Sequence, residues 1–94
     1  MWLILLGGCL SYEEGQAQVG ELNCELAEAC DRLATWGYDD VDACVEHAVN
    51  EPYDEADCAA YDAKAMRACI DAYEAAVEAS DCDYAPGDEC RVCG

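Results

Sequence analysis

The sequence predicts an all-α fold: a small disulfide-stapled three-helix bundle closed by an irregular, cysteine-rich C-terminal tail. Two observations carry this. Three segments place apolar residues at helical spacing, with charged residues on the opposite faces. Nine cysteines fall within 94 residues, a density that marks a disulfide scaffold. A single domain of this size buries a modest share of its surface and relies on cross-links. The apolar fraction of 54% overstates the core, because much of it is alanine and cysteine and phenylalanine is absent.

The first helix is expected near 23–35. Leu22, Leu26, Ala29, Cys30 and Leu33 share one face, while Glu25, Glu28, Asp31 and Arg32 share the other. Asn23 suits the N-cap and Gly37 the stop. Cys24 falls off the stripe and is expected to bridge to a separate element. The second helix, near 40–49, has Asp39 or Asp40 as its cap and Val41, Cys44, Val45, Ala48 and Val49 as its inner stripe. Pro52 lies beyond its end. The third, near 55–79, is capped by Asp54. Its inner half holds Cys58, Tyr61, Ala65, Met66, Cys69, Ile70, Tyr73 and Val77, with Asp62 as an exception to the pattern. The tail after Ser80 carries a Pro86-Gly87 turn signal and Cys82, Cys90 and Cys93.

Helix geometry suggests pairings. A hinge near 36–39 puts Cys30 and Cys44 at one height on antiparallel helices, which predicts that bridge. Cys24 and Cys58 fall near the opposite end and form a second expected pair. Cys58 and Cys69 lie about 16 Å apart on one helix and cannot bond each other. Cys69 therefore takes Cys82, Cys90 or Cys93, and the remaining two pair together.

The N-terminus reads differently. Trp2 to Leu6 is an apolar run, far short of the roughly 20 residues a membrane span needs. It has the h-region and small residues of an export signal but no basic residue before them. This reading expects a start codon placed too far downstream, so that residues 1–8 are the remnant of a signal peptide. Residues 9–20 are read as a flexible tether with two glycines, and 21–94 as the folded domain.

Leu6-Gly7-Gly8-Cys9 resembles the lipobox of bacterial lipoproteins. The resemblance implies a diacylglyceryl group on the Cys9 sulfur, cleavage before Cys9 and acylation of the new N-terminus. Leu10 after the cysteine, where an Asp would retain the protein at the inner membrane, then points to the outer membrane. Parity agrees with lipidation: setting Cys9 aside leaves Cys24, Cys30, Cys44, Cys58, Cys69, Cys82, Cys90 and Cys93, an even set able to close four bridges. With its acidic helices, its Cys-x5-Cys and its recurrent Ala-Cys units, the layout also resembles small cysteine-rich helical lipoproteins of myxobacteria. That resemblance implies no particular activity.

Composition narrows the partners. A net charge of −18, from 22 acidic and four basic residues, repels nucleic acid. The expectation is a solvated surface rather than a cation-binding face. Cys90-Arg91-Val92-Cys93 has redox-motif spacing, but no βαβ pattern accompanies it, and His47, on an outer face, is the one histidine available to a zinc site. These cysteines are read as structural, with a metal or redox site as the alternative. The acidic run Asp81, Asp83, Asp88 and Glu89 does not match a calcium loop. Ser11, Ser80 and Thr35 have no histidine arranged for a catalytic triad. Trp36 and Tyr38 at the first bend are read as capping the core, with an exposed binding tip as the alternative. The expectation is therefore a non-enzymatic envelope module with no cofactor, held at the membrane by its lipid and open to an unknown protein partner. A secreted effector or inhibitor is the runner-up.

Overall fold

A computed structural model describes residues 10–93; Cys9 and the apolar leader before it, including the lipobox-like stretch, lie outside the described residues. Among the described residues the fold is all-helical: α1 (Tyr12–Ala29), α2 (Val41–Val49) and α3 (Ala63–Ala79), with short 3-10 turns at Glu55–Asp57 and Asp88–Cys90. The central element is α1, against which both α2 and α3 pack.

The first helix begins eleven residues earlier than its sequence pattern suggests, so the expected tether is replaced by structure. Ser11 is the N-cap. Its Oγ accepts from the Glu14 N–H at 3.1 Å, and the Glu14 carboxylate accepts from the Ser11 N–H at 3.3 Å. This reciprocal pair satisfies two helix-end donors. The two glycines that suggest flexibility are sites of close helix approach. A Cβ at Gly15 would lie 2.4 Å from Met66 Cγ, and one at Gly20 would lie 2.7 Å from Ala48 Cβ. A side chain at residue 15 would have to displace the Met66 side chain, and one at residue 20 would press on Ala48, whose Cβ cannot swing aside.

At its other end α1 stops at Ala29, not near 35. Asp31 takes a left-handed conformation with φ 55°, and the Arg32 N–H returns to the Ala27 carbonyl at 2.8 Å. Aspartate is among the residues that tolerate this conformation. Gly37 is a terminator with φ 91°, but it closes the single turn after Leu33, with Tyr38 N–H on Leu33 O at 2.9 Å. Of the two aspartates expected to cap α2, Asp40 does so, accepting from the Ala43 N–H at 2.8 Å.

The third helix starts at Ala63 rather than near 55. Asp54 caps only the 3-10 turn. Asp62 is the N-cap of α3, accepting from the N–H groups of Lys64 and Ala65 at 2.9 and 3.2 Å. That role explains why a carboxylate interrupts an apolar stripe: Asp62 lies before the helix, not on its face.

All eight cysteines of the described region are bridged: Cys24–Cys44, Cys30–Cys82, Cys58–Cys93 and Cys69–Cys90, with Cα separations of 4.5–5.8 Å. Cys69 does take a tail partner. The expected Cys30–Cys44 and Cys24–Cys58 bridges are not formed, and the remaining tail cysteines do not pair together. The cause is the early end of α1. The connection between α1 and α2 is longer than a tight hinge, so Cys24 is the residue level with Cys44. Cys30, at the C-cap, turns instead to the chain beyond α3. Bridges closing loops of this size contribute roughly 3–4 kcal/mol each in the chain-entropy view, and less in sum because the loops overlap.

The core is correspondingly sparse. Met66 is its most enclosed large side chain, clustered with Cys58, Ile70 and Val92 and flanked by Leu10, Tyr12, Val19, Leu22 and Tyr61. Four of the buried residues are cysteines, so sulfur occupies space that larger side chains fill elsewhere. No polar side chain is buried among the described residues.

Candidate functional site

The bend after α1 forms a shallow concavity that sets apolar side chains beside carboxylates. The left-handed Asp31 and the Gly37 turn fold residues 30–39 back on themselves. Leu33, Ala34 and Tyr38 form the apolar part of a cleft of about 340 Å³, and Glu28, Asp31 and Asp39 supply its carboxylates. Trp36, in the same bend, is 43% exposed. It therefore does not cap the core as expected but projects as the alternative tip. Arg32, the single cation of this region, is turned away and donates to the Cys82 carbonyl oxygen. An apolar surface beside unpaired carboxylates suits the aliphatic stem and charged head of a basic side chain.

His47 sits on α2 with its ring 6.0 Å from that of Tyr38, and its Nε2 is 3.3 Å from the Glu51 carboxylate. Both partners are largely exposed, so this contact contributes little to stability. No serine or threonine is hydrogen-bonded to the histidine among the described residues.

The CxxC pair is split. Cys90 bonds Cys69 on α3, whereas Cys93 bonds Cys58 before α3. The two sulfurs fasten the tail to two places and do not form a motif disulfide. Nor do three or more His, Cys, Asp or Glu residues gather at metal-holding distance among the described residues.

The acidic tail loop is knit internally. Tyr84 packs edge-on against Tyr73, with ring centroids 5.1 Å apart, and donates its hydroxyl to Glu89 Oε2 at 3.0 Å. Burial, reinforced by the bond to Glu89, pushes the Tyr84 hydroxyl up to about 12. Glu89 is held below the usual carboxylate range, first by backbone hydrogen bonding and then by Tyr84. Its carboxylate acts as a structural acceptor.

The other end of α1 holds the residue that follows Cys9. Leu10 packs against the Met66 cluster, and its carbonyl accepts from the Tyr61 hydroxyl at 2.8 Å. Sequence reasoning overlooked this fixed attachment, although Ser11-x-x-Glu14 carries a readable capping signature. The cleft was also missed, because Glu28 and Asp31 look like ordinary outer-face residues of a longer helix. No described helix is long and apolar enough to cross a membrane.

Comparison of the chain with protein families, with curated proteins and with solved structures finds no match.

Proposed function

We propose that this chain is a lipid-anchored, disulfide-stabilised module of the bacterial cell envelope, with a structural or protein-interaction role and no catalysis. The observation that carries the reading is cysteine accounting. Eight cysteines bond one another within the domain, so the ninth, Cys9, is left without an intrachain cysteine partner. It stands at the end of a lipobox-like sequence, where a thiol is the acceptor for lipid. Four bridges also favour an oxidising compartment. Acyl chains on one residue give stable anchoring, since each buried methylene contributes about 0.8 kcal/mol. The outer membrane is the proposed location, from Leu10 following the cysteine. The acidic cleft beside Trp36 supports an interaction role and suits a basic protein segment.

Intact mass of the protein from its native envelope, before and after reduction, tests this. The expected species begins at Cys9, carries lipid and gains eight hydrogens on reduction, two for each bridge. A lipid-free species would overturn the anchor and leave a secreted effector or inhibitor. A smaller gain in hydrogen would restore a metal or redox role for Cys90 and Cys93.

A further inference from the structure

We infer that the Cys30–Cys82 bridge is a thiol–disulfide exchange site. Its opening by a dithiol donor releases the bend at residues 30–39 and dismantles the acidic cleft, while the rest of the bundle stays folded. The consequence for interaction rests on the proposed role of that cleft and is independent of the lipid anchor.

Access is the first ground. An attacking thiolate must reach a bridge sulfur, so exposed bridges are the labile and regulatory ones. Cys24 and Cys44 are both buried, and Cys58 and Cys69 bury one half of each remaining bridge, all four at 3–4% exposure. Among the described residues, Cys30–Cys82 is the one bridge with neither half buried. Cys30 is the C-cap of α1, and Cys82 lies just beyond the left-handed Ser80 that ends α3.

The second ground is what the bridge holds. No residue between Ala27 and Cys44 is buried, so this stretch contributes nothing to the core. Its turns close on themselves: the Gly37 N–H donates to the Ala34 carbonyl at 3.0 Å, and the Tyr38 N–H to the Leu33 carbonyl at 2.9 Å. Its side-chain hydrogen bond to a distant element runs from Arg32 to the carbonyl of Cys82, the same residue that the bridge fixes. The ring of Tyr38 adds only a tilted contact with that of His47 at 6.0 Å. The far end of the stretch is held separately, by the Asp40 cap and the Cys24–Cys44 bridge.

Separation from the core is the third ground. The buried cluster of Cys58, Met66, Ile70 and Val92 is fastened by the two tail bridges, which opening Cys30–Cys82 leaves intact. In the cleft, Asp31, Leu33, Ala34, Tyr38 and Asp39 belong to the released stretch, whereas Glu28 stays on α1. The oxidised domain therefore presents the cleft and the domain opened at this bridge does not.

The exchange balances with a dithiol as co-reactant. One donor thiolate attacks a bridge sulfur, the bond between Cys30 and Cys82 breaks, and the other sulfur leaves as a thiolate and takes a proton. The donor's second thiolate then attacks the mixed disulfide and frees the remaining cysteine. The protein gains two hydrogens at this bridge and the donor is left as its own disulfide.

The test uses the oxidised full chain with the Cys9 thiol blocked by iodoacetamide. It is titrated with dithiothreitol, quenched with N-ethylmaleimide and mapped by peptide mass spectrometry. The expected first product carries N-ethylmaleimide on Cys30 and Cys82 alone. In that product the Gly37 and Tyr38 amides are expected to exchange at least about tenfold faster, a small part of what one bridge contributes in the loop-closure view. Met66 and Ile70 amides are expected to be unchanged. A variant carrying Cys30→Ser and Cys82→Ser is expected to show the same exchange pattern without reductant. First labelling at another bridge, opening of all four together, or unchanged exchange in the bend after labelling would overturn the switch. These readouts involve no partner, so the interaction role of the cleft is decided separately, by binding of a basic peptide to the oxidised chain.

Discussion

Gly15 in α1 lies directly against Met66 in α3, so close that a single methyl group at residue 15 would fall 2.4 Å from Met66 Cγ. The contact explains how a glycine serves a helix it would otherwise weaken. Gly15→Ala gains about 1 kcal/mol of helix propensity, but overpacking costs about 1–3 kcal/mol. The expected outcome is net destabilisation of about 1 kcal/mol in chemical denaturation, with coupling between the two sites in a double-mutant cycle with Met66→Ala. Independent effects would show that the helices stand further apart.

Hydrogen exchange addresses the same region directly. Amides from Val19 and Gly20 are expected to be protected to a degree comparable with Cys24 and Leu26, since all belong to one helix. Exchange of Val19 and Gly20 at free-peptide rates would restore a tether.

Asp62 is predicted to matter through its position before α3. Asp62→Ala is expected to destabilise by about 1 kcal/mol, whereas Asp62→Asn, which retains a capping oxygen, costs much less. Equal losses from both variants in thermal or denaturant unfolding would assign Asp62 another role.

Tyr84 gives a test in alkali. Its ionisation is raised from 10.0 to about 12, chiefly by burial and then by the bond to Glu89. A raised folded value favours the neutral hydroxyl, so the stability it confers is complete below pH 10 and lost as pH rises through about 12. Glu89 has the opposite sign: its contribution is present above the usual carboxylate range and disappears as pH falls through its lowered value. Tyrosinate absorbance is expected to show one group titrating near 12, moved downward by Glu89→Gln. An unchanged titration in that variant would remove the hydrogen bond from the account.

The bridges are testable by non-reducing peptide mapping with trypsin and an acid-specific protease. Cleavage after Arg91 separates Cys90 from Cys93. The fragment with Cys93 is expected to remain joined to Cys58, and Cys90 to Cys69. A fragment pair joined through Cys90 and Cys93 would falsify the split.

Three helices and their disulfide dependence were legible because apolar spacing and cysteine density are read directly from sequence. Of the expected caps Asp40 alone holds its place, since Asn23 lies inside α1 and Asp54 caps a 3-10 turn. The start of α1 was hidden by Gly15 and Gly20, which occupy contact positions where a periodicity search expects bulk. Its end was hidden by Asp31, whose left-handed backbone leaves no mark in hydropathy. Both faults propagated into the pairings, because bridge geometry depends on where each helix stops. Val92 is a core residue at 6% exposure, yet as an isolated valine between two cysteines it has no pattern to betray it. The acidic cleft depends on residues brought together by that same unforeseen bend.

The Cys30–Cys82 bridge spans 52 positions, whereas Cys44 emerges only 14 residues after Cys30. During synthesis, Cys24, Cys30 and Cys44 are therefore available well before Cys82. Cys30 then meets Cys44 as a nearby competitor of its proper partner. The core is incomplete as well until Val92 arrives with Cys90 and Cys93. Oxidation that ran ahead of synthesis would close a Cys30–Cys44 link, and late thiol exchange would then have to break it before α1 could be fastened to the chain beyond α3. A catalyst that reshuffles disulfides would set the yield of native protein more than one that merely forms them.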